Sequence, residues 1–458
     1  MAPYSVGVAW QVVIAGGGFG GFYTALSLER LLPAQSARVT LVNEANFMLY
    51  TPLLPGAAAA TLDPRHVVVP LRPGLRRTDL VIGRVTGADP GGRTLAVERI
   101  DGEHQELAYD QLVIALGSVS RTLPIPGLAE HATGLKSLTD AIALRNHVLG
   151  CLDIAESLEN DAERAEYLGF VFVGAGYAGV EGLAELQDFL AQAIELYPRC
   201  RAAGMRWVLV EARERIMQEV PESLSRFAEH ELRGRGIEVR TASTLREVSA
   251  SGAVLSDGEV IPARTVVWTA GVMPSPVVGR LGFPVNGDGR LVVDRNMRVQ
   301  GPETIQEDAG RGSGSVWAIG DCAAVPDPSN PGRACPPTAQ HAIRQGSRVA
   351  RNVVATQGGG RVRPFRYRSK GVVAELGHNR AVAITLGLRW RGFPAWLIAR
   401  TYHLLLMPGV GRKLRLLADW NVALVFGRDV SALGRLGMKT PLEPERRATP
   451  EAFEERRS

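Results

Sequence analysis

Cysteine is scarce. The chain has 4 in 458 residues and no C-x-x-C pair. That argues against a disulfide framework and points to a reducing compartment. Long apolar runs are missing as well: no stretch of about 18 uninterrupted apolar residues occurs, so no spanning helix is expected. The 8 histidines are scattered without metal-ligand spacing, and no metal is expected. Residues 1–11 lack a basic leader region, so neither a signal nor a transit peptide is read. Net charge is only +5, but it is unevenly spread. Residues 361–439 hold 15 Lys/Arg against 3 Asp/Glu, so a mildly acidic body carries a basic C-terminal quarter. That asymmetry suits an anionic surface. Nucleic acid is not expected, because long aliphatic runs interrupt the charge. The length allows two or three domains.

What the chain does have is one fingerprint written twice. Gly16-Gly17-Gly18-Phe19-Gly20-Gly21 and Gly174-Ala175-Gly176-Tyr177-Ala178-Gly179 both read G-x-G-x-x-G. Each follows a short apolar run, Val12–Ala15 or Phe170–Val173, that reads as a buried parallel strand. Each precedes a helical segment, 22–32 or 180–196. Beyond each helix a second strand ends in an acid, Glu44 or Glu211. This is the whole dinucleotide-binding βαβ unit. Gly16 and Gly174 permit the tight turn, Gly18 and Gly176 let a pyrophosphate approach, and Gly21 and Gly179 allow close packing of helix on strand. The helix N-terminus receives the phosphates. Two units imply two dinucleotides, FAD and a nicotinamide. Glu211 accepts ribose hydroxyls and repels a 2′-phosphate, which favours NADH, although Arg213 and Arg215 stand nearby.

Further echoes support a duplication. Leu112–Leu116 is an apolar strand that runs into Gly117, and Thr265–Ala270 repeats the pattern up to Gly271. Gly320-Asp321 follows the apolar run Val316–Ile319. It reads either as a ribityl-binding Asp or as an ordinary turn. Pro336-Pro337-Thr338-Ala339-Gln340 opens a helix to about Thr356. Glu181 lies on the first turn of the second fingerprint helix. It reads equally as a dipole partner or as a contact to nicotinamide or flavin. Residues 47–64 read as a proline-punctuated connection, 156–166 as one charged helix, 301–314 as a surface insertion, and the tail after 440 as disordered. No acid–base constellation is evident, and hydride transfer between two rings needs alignment more than a proton donor. Stretches 393–407 and 411–426 read as amphipathic helices whose aromatic and basic flanks suit a membrane interface.

Together these residues resemble the type II NADH dehydrogenases, single-subunit NADH:quinone oxidoreductases, over roughly residues 10–430. The stretch Leu41–Leu54 carries that family's strand, acid, aromatic and T-P-L-L pattern. Gly174–Glu181 matches its G-x-G-x-x-G-V-E, whose Glu lies beside the nicotinamide. Ala318–Asp321 matches its flavin motif, and Pro337–Gln340 its P-T-A-Q segment near flavin and quinone. Phe365, Tyr367, Lys370, Gly371, Ala374 and Gly377 match a further run, and Phe393–Leu397 opens its membrane-anchoring helices. The chain departs from the family at Arg344, where Gln is usual, at Glu375, usually uncharged, and at Ala175 and Tyr177-Ala178.

The resemblance implies an α/β fold of two Rossmann-like domains with a C-terminal amphipathic helical anchor. FAD is expected in residues 8–125 and 286–375, NADH in 126–285, and membrane association in 376–440, with a tail at 441–458. It implies hydride transfer from NADH to FAD and then electron transfer to a membrane quinone, without proton pumping. Glu181, Gln340 and Lys370 are the implied catalytic residues, and Gln340 and Arg344 line the quinone end. A peripheral location on the cytoplasmic face and a homodimer complete the expectation. Rival readings are a sulfide:quinone or thiol-linked flavoprotein, a ferredoxin reductase, and a non-enzymatic NADH-responsive flavoprotein. Cys322 beside Asp321 and Cys335 before the flavin helix keep the thiol reading open.

Overall fold

Two sheets, each built around short buried central strands, organise the chain. The computed structural model describes residues 10–301, 316–369 and 371–432. The first sheet has seven strands. In spatial order these are Val316–Ala318, Gln111–Ile114, Trp10–Ala15, Ala37–Asn43, Thr78–Asp89, Thr94–Arg99 and His104–Ala108. The first five run parallel, and the last two extend the edge as an antiparallel meander. The second sheet has five parallel strands, Ala132–Gly134, Thr265–Trp268, Gly169–Val173, Arg206–Val210 and Ile237–Arg240. Val12 to Ala15 and Gly169 to Val173 are buried on both faces, which explains their unbroken apolar run.

Five helices position the sites. They are α1 (Phe19–Leu31), α2 (Tyr177–Ala193), α3 (Ala339–Gln357), α4 (Phe393–Leu406) and α5 (Val410–Phe426). Both fingerprint helices start three residues earlier than the apolar pattern suggests: Gly18 and Gly176 are extended N-caps, and Gly20, Gly21 and Gly179 already lie in the first turn. Residues 156–166 are not one helix. A long helix ends at Ser157, and Asn160 caps a new one over Asp161–Tyr167 by accepting from Ala162 and Glu163. The connection after residue 47 forms a short hairpin, Phe47–Leu49 with Val68–Pro70, and a short helix Leu54–Ala58.

The second sheet lies within one continuous excursion of the chain. Leu128 packs into its core, and the ribbon Ser118–Ser120 with Val272–Pro274 ties the two units together. Val277, Val278, Leu281 and Phe283 already belong to the first core, so the return comes before the expected 285. The expected boundary at 375 also falls inside an element. Residues 371–392 form a three-stranded antiparallel sheet that precedes α4. The expected insertion at 301–314 lies almost wholly outside the described residues, and the tail at 441–458 and Lys370 lie outside them entirely.

The C-terminal helices are docked on the body. Met407 and Leu416 are buried in the same core as Val12 and Ile14. Ala395, Ala399 and His403 form the inner face of α4. His403 faces Tyr50 across 3.4 Å, and burial pushes its imidazole down to about 4. In α5, Asp419 accepts from His66 at 2.6 Å and from the Asp63 amide at 3.1 Å. The outer faces are apolar and exposed: Phe393, Leu397 and Leu405 on α4, and Val410, Leu414, Val422, Leu424, Val425 and Phe426 on α5.

Candidate active site

The two glycine loops have matching geometry. Gly16 has φ +103° and Gly174 φ +102°, a region that disfavours any side chain. A Cβ on Gly21 would lie 1.8 Å from the Gly16 carbonyl oxygen, and one on Gly179 would lie 1.8 Å from that of Gly174. By contrast, a Cβ on Gly18 would meet nothing within 4 Å. That open side is where a pyrophosphate approaches the start of α1. A cavity of about 520 Å³ runs from it, lined by Gly16, Gly18, Asn43, Glu44, Gly117 and Ser118 among others. The residues present therefore fit the adenosine diphosphate half of FAD.

One assignment moves. Ala175 N–H donates to Glu211 Oε2 at 2.7 Å. In the first unit Gly17 N–H donates to Asn43 Oδ1 at 2.8 Å. Asn43, not Glu44, therefore occupies the place of Glu211. Side chains alternate along a strand, so the next residue turns away from the loop. Glu44 is exposed on the rim of the same cavity. Aligning Leu41-Val42-Asn43 on Leu209-Val210-Glu211 finds this equivalence in the sequence; searching for an acid misses it.

At the other end of the flavin path, Asp321 accepts from the Ser118 hydroxyl at 2.6 Å. Lys136 Nζ donates to the same hydroxyl at 3.1 Å. Lys136 follows a strand of the second sheet, so this chain of contacts crosses between the units; no motif pointed to it. Gly320 has φ +72°, and its N–H donates to Gln345 Oε1 at 2.8 Å. Thr338 caps α3 by accepting from His341 N–H. The side chain of Gln340 is engaged at both ends. Its Nε2 donates to Gly371 O at 3.2 Å, and its Oε1 accepts from Tyr367 at 2.5 Å. Arg344 donates to the Gln340 carbonyl at 2.9 Å and lies 4.2 Å over the Tyr367 ring. The structure thus brings Gln340, Arg344 and Tyr367 together.

On the nicotinamide side, Glu211 also accepts from Arg213 N–H at 3.0 Å. Arg215 is spent on the carbonyls of Met217, Gln218 and Val220, and Arg213 reaches Gln218. Gly271, with φ +98°, turns the chain after the strand Thr265–Trp268. Glu181 Oε1 accepts from Glu375 N–H at 3.0 Å, and burial pushes its carboxyl well above the usual range. Behind it lies a cavity of about 20 Å³ lined by Glu181, Glu185, Glu375, Arg400 and Trp420. A groove of about 610 Å³ between α4 and α5 shares Thr61, Arg400 and Trp420 with that cavity. Its walls include Trp396, Leu397, Leu404, Leu417 and Leu424. Gln340 and Arg344 line neither space. Arg400 of α4 is turned inward. It faces Glu375 at 3.2 Å and keeps 13% exposure.

The sequence pattern of the pyridine nucleotide-disulphide oxidoreductases matches residues 10–346. A demethylphylloquinone reductase of Synechocystis is 31% identical over 427 residues, 90% of this chain and 97% of that protein. A type II NADH:quinone oxidoreductase of Mycobacterium tuberculosis is 29% identical, covering 91% of this chain and 89% of its own. The chain belongs to the pyridine nucleotide-disulphide oxidoreductase family, in its type II NADH dehydrogenase branch. The structure of NDH2 from Plasmodium falciparum in complex with NADH shares the fold, with a TM-score of 0.82 at 19% identity over 92% of this chain and 100% of that one.

The family name mentions a disulphide, yet this type II member has none. All four cysteines are free and buried. Burial pushes the thiol of Cys322 up to about 11 and that of Cys335 up to about 12, so both are protonated and poor nucleophiles near neutral pH. The thiol reading that their positions invited gains no support. No metal-binding group of three His, Cys, Asp or Glu occurs among the described residues.

Proposed function

We propose that the chain is a peripheral membrane NADH:quinone oxidoreductase that binds FAD and pumps no protons. The observation that carries this is the pair of matching glycine cradles, one on each parallel sheet, joined by the ribbon at Ser118 and Val272. When bound, FAD would supply the two-electron redox chemistry between NADH and quinone. Gly16, Gly18, Gly21, Asn43, Glu44 and Gly117 hold its adenosine end, and Ser118, Gly320 and Asp321 its ribityl chain. Gly174, Gly176, Gly179, Glu211 and Gly271 hold NADH. Glu181 closes the nicotinamide end of that site. Gln340 fixes Tyr367 and Gly371 around the flavin edge, and Lys370 is assigned to the same edge by resemblance. The groove between α4 and α5 suits the quinone. Its mouth lies among the exposed apolar side chains and its floor reaches the cavity beside Glu181. No helix among the described residues is long and apolar enough to cross a membrane. The outer faces of α4 and α5 rest on an anionic bilayer, on its cytoplasmic face.

Steady-state NADH oxidation with a soluble quinone tests the reading. The protein is expected to release FAD, not FMN, on denaturation, and to prefer NADH to NADPH. Glu211→Gln is expected to narrow that preference about tenfold or more, since each charge-assisted hydrogen bond contributes about 1.5–3 kcal/mol. A wild type that turns over NADPH equally well contradicts the role of Glu211.

Arg344 separates two assignments of the quinone end. Arg344→Gln loses the stacking on Tyr367 but touches neither the groove nor the cavity beside Glu181. The quinone-dependent rate is therefore expected to stay within about twofold, whereas a change of about fivefold, equivalent to about 1 kcal/mol, moves the quinone to Arg344. Flavin reduction by NADH, followed by stopped flow, is expected to stay within about twofold on the same scale. Equal effects on both steps place Arg344 at the flavin or in folding. An unchanged quinone rate leaves the groove between α4 and α5 as the quinone site.

A further inference from the structure

Helix α2 carries a row of acids away from the nicotinamide end. Glu181, Glu185 and Asp188 are spaced four and three residues apart, on one helix face. Glu185 and Asp188 are buried. The groups facing this row come from four other elements. Thr61 donates to Glu185 at 3.1 Å. Arg428, which follows α5 and keeps 9% exposure, pairs with Asp188 at 2.7 Å and with Glu185 at 3.4 Å. His378 pairs with Asp188 at 2.8 Å and is itself 54% exposed. Glu375 lies beside Glu181, facing Arg400 of α4.

Glu181, Glu185 and Glu375 all border the cavity of about 20 Å³, large enough for one water molecule. One donor on the same cavity, Trp420 Nε1, is buried without a hydrogen-bond partner, and Arg400 Nε stands there 3.2 Å from Glu375. Donors and carboxylates around so small a space suit a bridging water with three or four partners. The outer end of the row, His378, lies where water reaches it. The same groove that suits a quinone runs along the row, lined by Thr61, Arg400 and Trp420 toward the inner end and by Asp188, His378 and Arg428 toward the outer one.

Proton bookkeeping gives this arrangement a task. NADH, quinone and one proton yield NAD⁺ and quinol. The hydride carries two electrons and one of the quinol's protons; the other must come from water. We infer that Glu375 and Glu181 form a shared-proton carboxyl pair that supplies this second proton and is refilled from water through His378, Asp188 and Glu185. The inference rests on the quinone-reducing reading above. When the pair gives up its shared proton its charge goes from one negative to two, opposed by the Arg400 guanidinium and the cavity donor, and water restores the proton along α2. The electrostatics agree. Burial raises both carboxyls, and the Arg400 guanidinium opposes the rise at Glu375, leaving it at about 7. Such a group is protonated on the acid side of neutrality and empties as pH rises, close to the optimum for a proton donor at neutral pH. Glu375 acts here as a positioning and proton-holding residue.

The test uses the FAD-loaded full-length protein. Infrared titration without NADH or quinone is expected to show a protonated-carboxyl band that disappears as pH rises through about 7. Glu375→Gln is expected to remove that titration while FAD content reports folding. Its quinone-dependent rate is expected to fall about tenfold or more and to lose the decline above neutral pH. Should that variant fold poorly, His378→Gln at the exposed end is expected to slow the quinone step about fivefold at alkaline pH and to recover with added imidazole. A carboxyl band that survives in Glu375→Gln overturns the shared pair. An unchanged alkaline rate in His378→Gln overturns the entry route. If the wild type fails to reduce quinone yet shows the titrating band, the functional reading falls and the carboxyl pair stands.

Discussion

Gly179→Val is expected to give a yellow protein that NADH cannot reduce. The Cβ would sit 1.8 Å from the Gly174 carbonyl oxygen and 2.6 Å from Thr269 Oγ1. That hydroxyl donates to the carbonyls of Val173 and Gly174, so three backbone segments would have to shift together. Forcing a side chain into such a site costs about 1–3 kcal/mol before any ligand contact is lost. Displacing the loop also removes the helix-terminal amides from the pyrophosphate, and the combined loss in NADH affinity is expected to be about hundredfold or more. The FAD cradle is built from Gly16, Asn43 and Gly117 on the other sheet, so flavin content stays near wild type. Gly21→Val is the reciprocal experiment and is expected to lose the flavin. Visible spectra and stopped-flow reduction separate the two variants. Rapid bleaching of Gly179→Val by NADH at wild-type rate contradicts the assignment of the second cradle.

Replacing Leu414, Val422, Val425 and Phe426 together by glutamate is expected to release the protein from vesicles containing anionic lipid. These side chains are 60%, 54%, 69% and 83% exposed, so the substitutions leave the core intact. Each contributes roughly 1.5–3 kcal/mol when fully buried, and even half of that over four positions weakens binding by about three powers of ten. Truncation before α4 is a poorer experiment, because Met407 and Leu416 would be stripped from the main core. High salt is expected to weaken attachment only slightly. Of the cations on α4 and α5, Arg400 faces Glu375, Arg412 donates to Arg65 O and Lys413 to Leu405 O, which leaves Arg415 the most exposed of the set. Co-sedimentation with vesicles reads both effects, and retention of the fourfold variant sinks the membrane assignment.

The parts legible in the sequence were those with a local cause. Each glycine fingerprint needs its own strand, turn and helix, all within about 40 residues, and both units fold as their patterns state. Periodicity likewise found α4 and α5. It did not show which stripe faces inward. Arg412 and Asp419 look like a solvated face, yet in the structure they grip Arg65 and His66. Partners more than 300 residues away leave no local signal. Lys136 at Ser118, only 18 residues away, and the turn of Arg400 toward Glu375 were hidden for another reason: each pair joins two different elements whose packing no periodicity encodes. Asn43 was missed for a different reason: the search was for a charge, whereas the position is defined by strand register and by a hydrogen bond that an amide oxygen accepts equally well.

The strand Val316–Ala318 lies against Gln111–Ile114, and Leu416 packs into the core that begins at Val12. This placement has a consequence for biogenesis. The second sheet draws its strands from residues 132–268 alone and has all its partners once that stretch leaves the ribosome. The first sheet must wait. At about 5–20 residues per second, the strand Gln111–Ile114 spends roughly 10–40 s without its outer neighbour. The N-terminal domain is therefore the later one to close, after the domain inserted into it. A translational pause or a bound chaperone would act on the exposed edge at Gln111–Ile114 during that interval, and flavin loading would have to follow it.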